Sequence, residues 1–179
     1  MRVVFCAWRD LAHQQAGGSE VLVDHLARGL GSRGHDVRLL CSVPVAERPY
    51  RVQPLLSNHL QYFHAPLAFH RGHRDADVVI DVANGVAFYA GVWSRRPSLC
   101  LVNHVHTDQW DQWFATRRSA PLAGLGRFLE SRVMPWAYRD RLFVAVSEST
   151  ATALEGIGVD ASRIRVVHNG VEQSPSPEA

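Results

Sequence analysis

Lysine is absent from this 179-residue sequence; all 19 basic residues are arginine. The absence excludes chemistry that needs a lysine amine, such as a Schiff base or the lysine of a Walker-type phosphate loop. It reads as the codon bias of a GC-rich genome rather than as selection at each site. Cysteine is scarce: Cys6, Cys41 and Cys100 each fall in an apolar run that predicts a strand. An odd number with no CxxC pair excludes a disulfide framework and a structural zinc site. Buried free thiols suit a reducing cytoplasm. No stretch approaches the ~18 apolar residues of a membrane span, and the apolar start, Val3 to Ala7, is too short for the core of a signal peptide. A strong charge of either sign is also lacking. The formal net charge of +2 implies no nucleic-acid partner. The remaining composition, 46% hydrophobic and 20% charged residues, suits one packed domain, and the length is too short for two.

The chain alternates strand and helix patterns. Val3 to Ala7 predicts a buried strand. A polar loop then leads to Gly17-Gly18-Ser19-Glu20, and Val23, Leu26, Ala27 and Leu30 form a helical stripe that Gly34 stops. Val37 to Cys41 is the next strand, completing a right-handed βαβ unit. Pro44, Pro49 and Pro54 interrupt the next stretch, in which Val52 and Gln61-Tyr62-Phe63 predict short strands and Leu67 to Arg74 a helix. Further strands are expected over 78–82, 98–104, 142–146 and 164–167. A short helix is expected over 86–92, a long helical stripe over 122–138, and a helix capped by Ser147 reaching about Leu154. Continuous apolar strands between amphipathic helices predict an α/β domain with a mostly parallel sheet covered on both faces. Ligands of such sheets bind at the carboxyl ends of the strands.

The residues at those ends are polar and rich in Gly and His, and each has two readings. Gly17-Gly18-Ser19-Glu20 opens the first helix, where free backbone N–H groups favour a phosphate or sugar oxygen; it reads equally as a loop with Ser19 as an N-cap. The absence of GxGxxG disfavours a dinucleotide. In Asn103-His104-Val105-His106-Thr107-Asp108, side chains two apart on a strand share a face. That grouping fits an active-site histidine that meets a sugar or phosphate, a structural histidine pair, or a metal site of HxHxD type with His168. Trp110, Trp113 and Phe114 form either a wall for a ligand or packing within the domain. Arg117, Arg118, Arg127, Arg132, Arg139 and Arg141 around the long helix suit anionic lipid or plain solvent. Ser147-Glu148-Ser149 lacks the GxSxG elbow of a nucleophile and is sufficient as an N-cap.

Taken in order, these pieces resemble the N-terminal domain of glycosyltransferase family 4, the retaining enzymes of GT-B fold. The resemblance runs from residue 2 to about 172. It is carried by Gly17-Gly18-Ser19-Glu20, Asp81-Val82-Ala83-Asn84-Gly85, Asn103-His104-Val105-His106-Thr107, Val144-Ala145-Val146-Ser147-Glu148-Ser149 and Val166-Val167-His168-Asn169-Gly170-Val171. No single piece is specific, but their order and spacing are. Bacterial members with an HHVHxxQW-like stretch are nearest, here Asn103 to Trp110. The resemblance implies a Rossmann-like domain with helices on both faces over residues 1–170, and a linker at 171–179 toward a donor-binding domain that carries an E-x7-E signature. It implies sugar transfer from a nucleotide-sugar co-substrate to an unspecified acceptor, without a metal or other cofactor. It also implies a cytoplasmic protein, with the inner membrane face as a candidate contact. His106 is then the catalytic residue, and Gly17, Gly18, Ser19, Asn84, Gly85, His104, Asp108, Trp110, Ser147, Glu148 and Asn169 bind substrate. Without an E-x7-E segment, the chain is expected to be an excised domain or half of a split enzyme, inactive alone, whose open cleft face is a candidate dimer contact. The alternatives are a noncatalytic sugar-binding or partner-recruiting module and, more distantly, a metallo-hydrolase.

Overall fold

The computed structural model describes residues 1–56, 58–114, 116 and 120–170. The expected linker at 171–179, and Arg117 and Arg118, lie outside them. Among the described residues, seven strands form one all-parallel sheet in the order β3-β2-β1-β4-β5-β6-β7. They are β1 (Arg2–Arg9), β2 (Asp36–Ser42), β3 (Arg51–Leu55), β4 (Val78–Asn84), β5 (Ser98–His104), β6 (Leu142–Ala145) and β7 (Ile164–Val166). The helices are α1 (Gly18–Ser32), α2 (Gln61–Gly72), α3 (Ala90–Trp93), α4 (Trp110–Trp113), α5 (Ala120–Phe128), α6 (Met134–Ala137) and α7 (Glu148–Gly156). A π-helical turn, Leu129–Val133, joins α5 to α6.

Alternation along the strands sends apolar groups to both faces, as a doubly covered sheet requires. Val3, Phe5 and Ala7 pack with Val37, Leu39 and Cys41 beneath Val23 and Ala27 of α1. Val4, Cys6 and Leu40 face the other way, against Ala65, Ala68 and Phe69 of α2. Farther along, Cys100, Val102, Phe143 and Ala145 meet Met134, Tyr138 and Leu154. All three cysteines are free and buried. Burial pushes the Cys41 thiol up to about 12, and raises Cys6 and Cys100 as well. Gly34 ends α1 with φ of +82°, a conformation glycine adopts without steric cost.

Three expectations change. Gln61-Tyr62-Phe63 begins α2 rather than forming a strand. Its aromatic pair suggests β-structure, but the buried positions Gln61, Ala65, Ala68 and Phe69 follow helical spacing. The helix expected over 86–92 contracts to Ala90–Trp93, because the Asp81 carboxylate takes the Phe88 and Ala90 N–H groups at 3.0 and 3.1 Å and Tyr89 is left-handed with φ of 59°. The third change is in the long helical stripe. Its small residues Ala123, Gly126 and Ala137 are buried, whereas Leu122, Leu125, Phe128 and Trp136 are more than half exposed. Space explains the inversion. A Cβ on Gly126 would stand 2.5 Å from the Trp110 ring, and one on Gly91 would stand 2.5 Å from the Ala137 carbonyl oxygen. Beside the Trp110 ring only a residue without a side chain fits at position 126.

Candidate functional site

The strand order reverses between β1 and β4, and a crevice opens at their carboxyl ends, as expected of a doubly wound sheet. Ala7, Trp8, Arg9, Ser19, Glu20, Val23, Val82 and Asn84 line it. Two of the expected site residues, Ser19 and Asn84, thus meet there. Gly17 and Gly18 are exposed beside them, and nothing lies within 4 Å of where a Gly18 Cβ would stand, so the backbone is open to a ligand. The helix terminus itself is already engaged. The half of the capping box supplied by Glu20 accepts the Gly17 N–H at 2.7 Å and the Ser19 hydroxyl at 3.0 Å. This buried carboxylate takes donors that an incoming anion would otherwise use. A phosphate at this terminus must displace Glu20 or bind to the N–H groups it leaves.

The loop that enters the crevice from β1 is anchored from below. Asp10, 1% exposed, receives Arg48 Nε and Nη2 at 3.2 and 3.0 Å. Burial pushes the Asp10 carboxyl up, but the Arg48 hydrogen bonds and the Ala12 N–H outweigh it and hold the group below the usual carboxylate range. Buried Asp24 adds the Tyr50 hydroxyl at 2.7 Å and Arg28 Nε at 2.6 Å.

The end of β5 carries the histidines, and here the same-face expectation changes. β5 stops at His104; His106 lies beyond it, where its carbonyl starts the turn into α4 by accepting the Gln109 and Trp110 N–H groups. His104 is exposed and its Nε2 lies 3.1 Å from Gln109 Nε2, while His106 is buried. The two rings still meet edge to face with centroids 4.9 Å apart, and His106 also lies 5.0 Å from the half-exposed Trp113 ring. Trp110, expected among the ligand contacts, is buried. Its ring fills the space over Gly85 and Gly126, and its Nε1 donates to Glu130 Oε2 at 2.8 Å. Gly85 is also buried; its φ of +87° and the Trp110 ring 3.1 Å from its would-be Cβ explain the glycine as turn and packing.

Ser147 caps α7 by accepting the Thr150 N–H at 3.2 Å, and Thr150 Oγ1 donates to the Asn103 carbonyl, joining this helix terminus to the end of β5. Asp108, Glu148 and Asn169 are exposed, Asn169 just beyond β7. Among the described residues no group of three or more His, Cys, Asp or Glu side chains is placed to hold a metal ion. The HxHxD reading therefore finds no ligand set there.

Two further buried carboxylates, like Asp10 and Asp24, have no role in the sequence reading. Glu130, 1% exposed, accepts the His106 N–H at 2.6 Å through Oε1. Its signal was an acid at an inward position of the long helix, in step with Gly126 and Met134. Asp81 lies fully buried in β4 beneath Asn84-Gly85 and also receives the Tyr138 hydroxyl. Burial pushes its carboxyl up to about 6, against the hydrogen bonds that pull it down.

The sequence model of the family described as Glycosyltransferase Family 4 matches residues 16–174. Among curated proteins none matches. The fold matches Anabaena Alr3699/HepE in complex with UDP at a TM-score of 0.65 and 16% identity, over 98% of this chain and 47% of that one. It matches sucrose-phosphate synthase from Thermosynechococcus elongatus at a TM-score of 0.63 and 14% identity, over 95% and 48%. WaaG, a glycosyltransferase involved in lipopolysaccharide biosynthesis, matches at 0.60 and 14%, over 97% and 48%. The chain spans about half the length of each of these GT-B structures.

Proposed function

Because the chain belongs to glycosyltransferase family 4, we propose that it forms the acceptor-side domain of a retaining transferase that moves a sugar from a nucleotide-sugar to an acceptor. The observation that carries this reading is the arrangement of the strand ends. Ser19, Asn84, His104, Ser147 and Asn169 stand at or just beyond the carboxyl ends of successive neighbours in the sheet, on the edge where such sheets bind ligands. A domain that closes over this edge brings the donor. A departing nucleotide diphosphate is an anion, and the backbone N–H groups at the start of α1 that Glu20 leaves free, with Arg9 on the crevice wall, suit it. His106 lies behind the β5 end as the histidine that meets a sugar hydroxyl. No carboxylate of this domain is assigned as a nucleophile, so retention proceeds by attack on the face from which the phosphate leaves.

The isolated chain is expected to transfer no sugar from any nucleotide-sugar, and transfer is expected to appear when a donor-binding domain is fused after residue 170 or supplied in trans. Turnover by the chain alone overturns the domain assignment. Glycan binding that no donor domain converts into transfer leaves the module reading instead.

The outward apolar residues of the long helix support a second contact, with an anionic lipid surface. Leu122, Leu125, Arg132 and Trp136 recur at i, i+3, i+10 and i+14. Leu122, Leu125, Phe128 and Trp136 are exposed, and Arg139 lies over the Trp136 ring at 5.9 Å. Apolar side chains bordered by guanidinium groups suit the headgroup boundary of such a membrane. The chain is expected to sediment with phosphatidylglycerol vesicles but not with phosphatidylcholine vesicles. Binding should weaken as salt rises and be lost in Leu125→Asp/Trp136→Ala. Equal binding to both lipids, or none, removes this contact.

A further inference from the structure

Resting on the reading of His106 above, we propose that Glu130 is its positioning residue: a buried carboxylate that holds the imidazole in the tautomer with the proton on Nδ1 and leaves Nε2 as the acceptor for a substrate hydroxyl.

Glu130 makes three approaches to the turn after β5. Oε1 accepts the His106 backbone N–H at 2.6 Å, Oε2 accepts Trp110 Nε1–H at 2.8 Å, and Oε1 lies 3.7 Å from His106 Nδ1. The backbone bond and the indole bond clamp the carboxylate, so its position relative to the ring is set by two contacts that do not involve the imidazole. Nδ1 is buried and, among the described residues, has no hydrogen-bond partner. A neutral imidazole offers either an N–H or a lone pair at that atom. A lone pair facing a clamped carboxylate oxygen at 3.7 Å in a water-poor site is repulsive, whereas an N–H there is attractive. The proton therefore belongs on Nδ1. If Nε2 takes a proton from an attacking hydroxyl, the ring becomes a cation and Glu130 becomes its counter-charge. The separation of 3.7 Å is longer than a hydrogen bond, so the attraction strengthens as the ring gains charge instead of being spent beforehand.

Local winding agrees with this placement. Glu130 sits in the π-helical turn between α5 and α6. Pro135, the second residue of α6, has no N–H to close an ordinary turn. Wide turns of this kind occur frequently at functional sites, and this one carries the acid in step with the buried Gly126 and Met134. The other titratable ring touching His106 is His104, which is exposed and already opposite Gln109, so Glu130 is the buried charge that faces the imidazole.

The test uses the 179-residue chain labelled with 15N. Long-range 1H–15N spectra separate the two imidazole tautomers, and His106→Gln identifies the signal among ten histidines. His106 is expected in the Nδ1–H form at neutral pH. Glu130→Gln, which removes the negative charge facing Nδ1, is expected to shift it toward Nε2–H, and Glu130→Asp to preserve the original form. His106 in the Nε2–H form in the unsubstituted protein overturns the proposal without any variant, so a Glu130→Gln protein that fails to fold does not shelter it. An unchanged tautomer in folded Glu130→Gln overturns it too. In a two-domain enzyme, Glu130→Gln should lower kcat on the order of 10²-fold with little change in KM. The tautomer is read without transfer, so its failure leaves the transferase reading standing. Normal transfer by His106→Ala would sink the catalytic reading of His106 while leaving the tautomer as measured.

Discussion

Replacing His106 by alanine in an enzyme that carries both halves of the fold is expected to lower turnover on the order of 10²–10³-fold, the loss expected on removing one preorganised hydrogen-bonding group at a transition state. The ring is buried against Trp113 and His104, so its removal also leaves a cavity and lowers the melting temperature. Kinetics must therefore be taken well below the melt. His104→Ala is the control. That ring is exposed, with its Nε2 3.1 Å from the Gln109 side-chain amide, and a surface change of this kind stays within about 0.5 kcal/mol of neutral. Steady-state rates and thermal melts on both variants decide the matter. Near-normal turnover in folded His106→Ala would falsify the assignment and make the ring a packing element of the β5–α4 turn.

The largest expected loss of stability is at Asp81. Its carboxylate satisfies the Phe88 and Ala90 N–H groups and the Tyr138 hydroxyl in the interior. Alanine strands all three donors at about 1–3 kcal/mol each, against a total stability of about 5–15 kcal/mol for an ordinary domain. Asp81→Ala is thus expected to be largely unfolded at about 37 °C by circular dichroism. A melt within a few degrees of the parent would mean that water replaces the carboxylate.

The same group gives a pH dependence of defined sign. Burial raises the carboxyl to about 6 in the folded protein, above about 3.9 in an unfolded chain. Between those values the folded state binds more protons, so this group's stabilising contribution is complete below about pH 4 and is lost as pH rises through about 6. Asp10, Asp36 and Asp75 act oppositely: their folded values are lowered, so their contribution is present above about pH 4 and lost on further acidification. Melting temperature should therefore peak near about pH 4 and fall toward about pH 6, and Asp81→Asn should flatten that fall.

The sheet was legible because buried parallel strands are apolar throughout. Val3 to Ala7, Val78 to Val82 and Ser98 to His104 announce themselves whatever surrounds them. The orientation of the long helix was not legible. Periodicity reports which residues share a face, not which face turns inward, and Trp110, distant in sequence, settles that by occupying the space beside Gly126. At the site, Ser19, Asn84 and Ser147 follow from the rule that strand ends bind ligands. The depths of His104 and His106 do not, because the rule of alternation ends with the strand and β5 stops between them. Glu130 and Asp81 were hidden for a related reason. An acid in an apolar run looks like an interruption until the donors from other segments are known.

β1 is an inner strand of the sheet, third in its order, hydrogen-bonded to β2 on one side and β4 on the other. During synthesis it leaves the ribosome ahead of both neighbours, and the second of them starts only at Val78. This inner strand is therefore made early and enclosed late, and it spends much of translation with an open ladder of N–H and C=O groups. Inner and outer strands consequently differ in tolerance. Loss of β7, a three-residue outer strand, trims the rim, while loss of residues 2–9 divides the sheet into two pieces that no remaining strand joins.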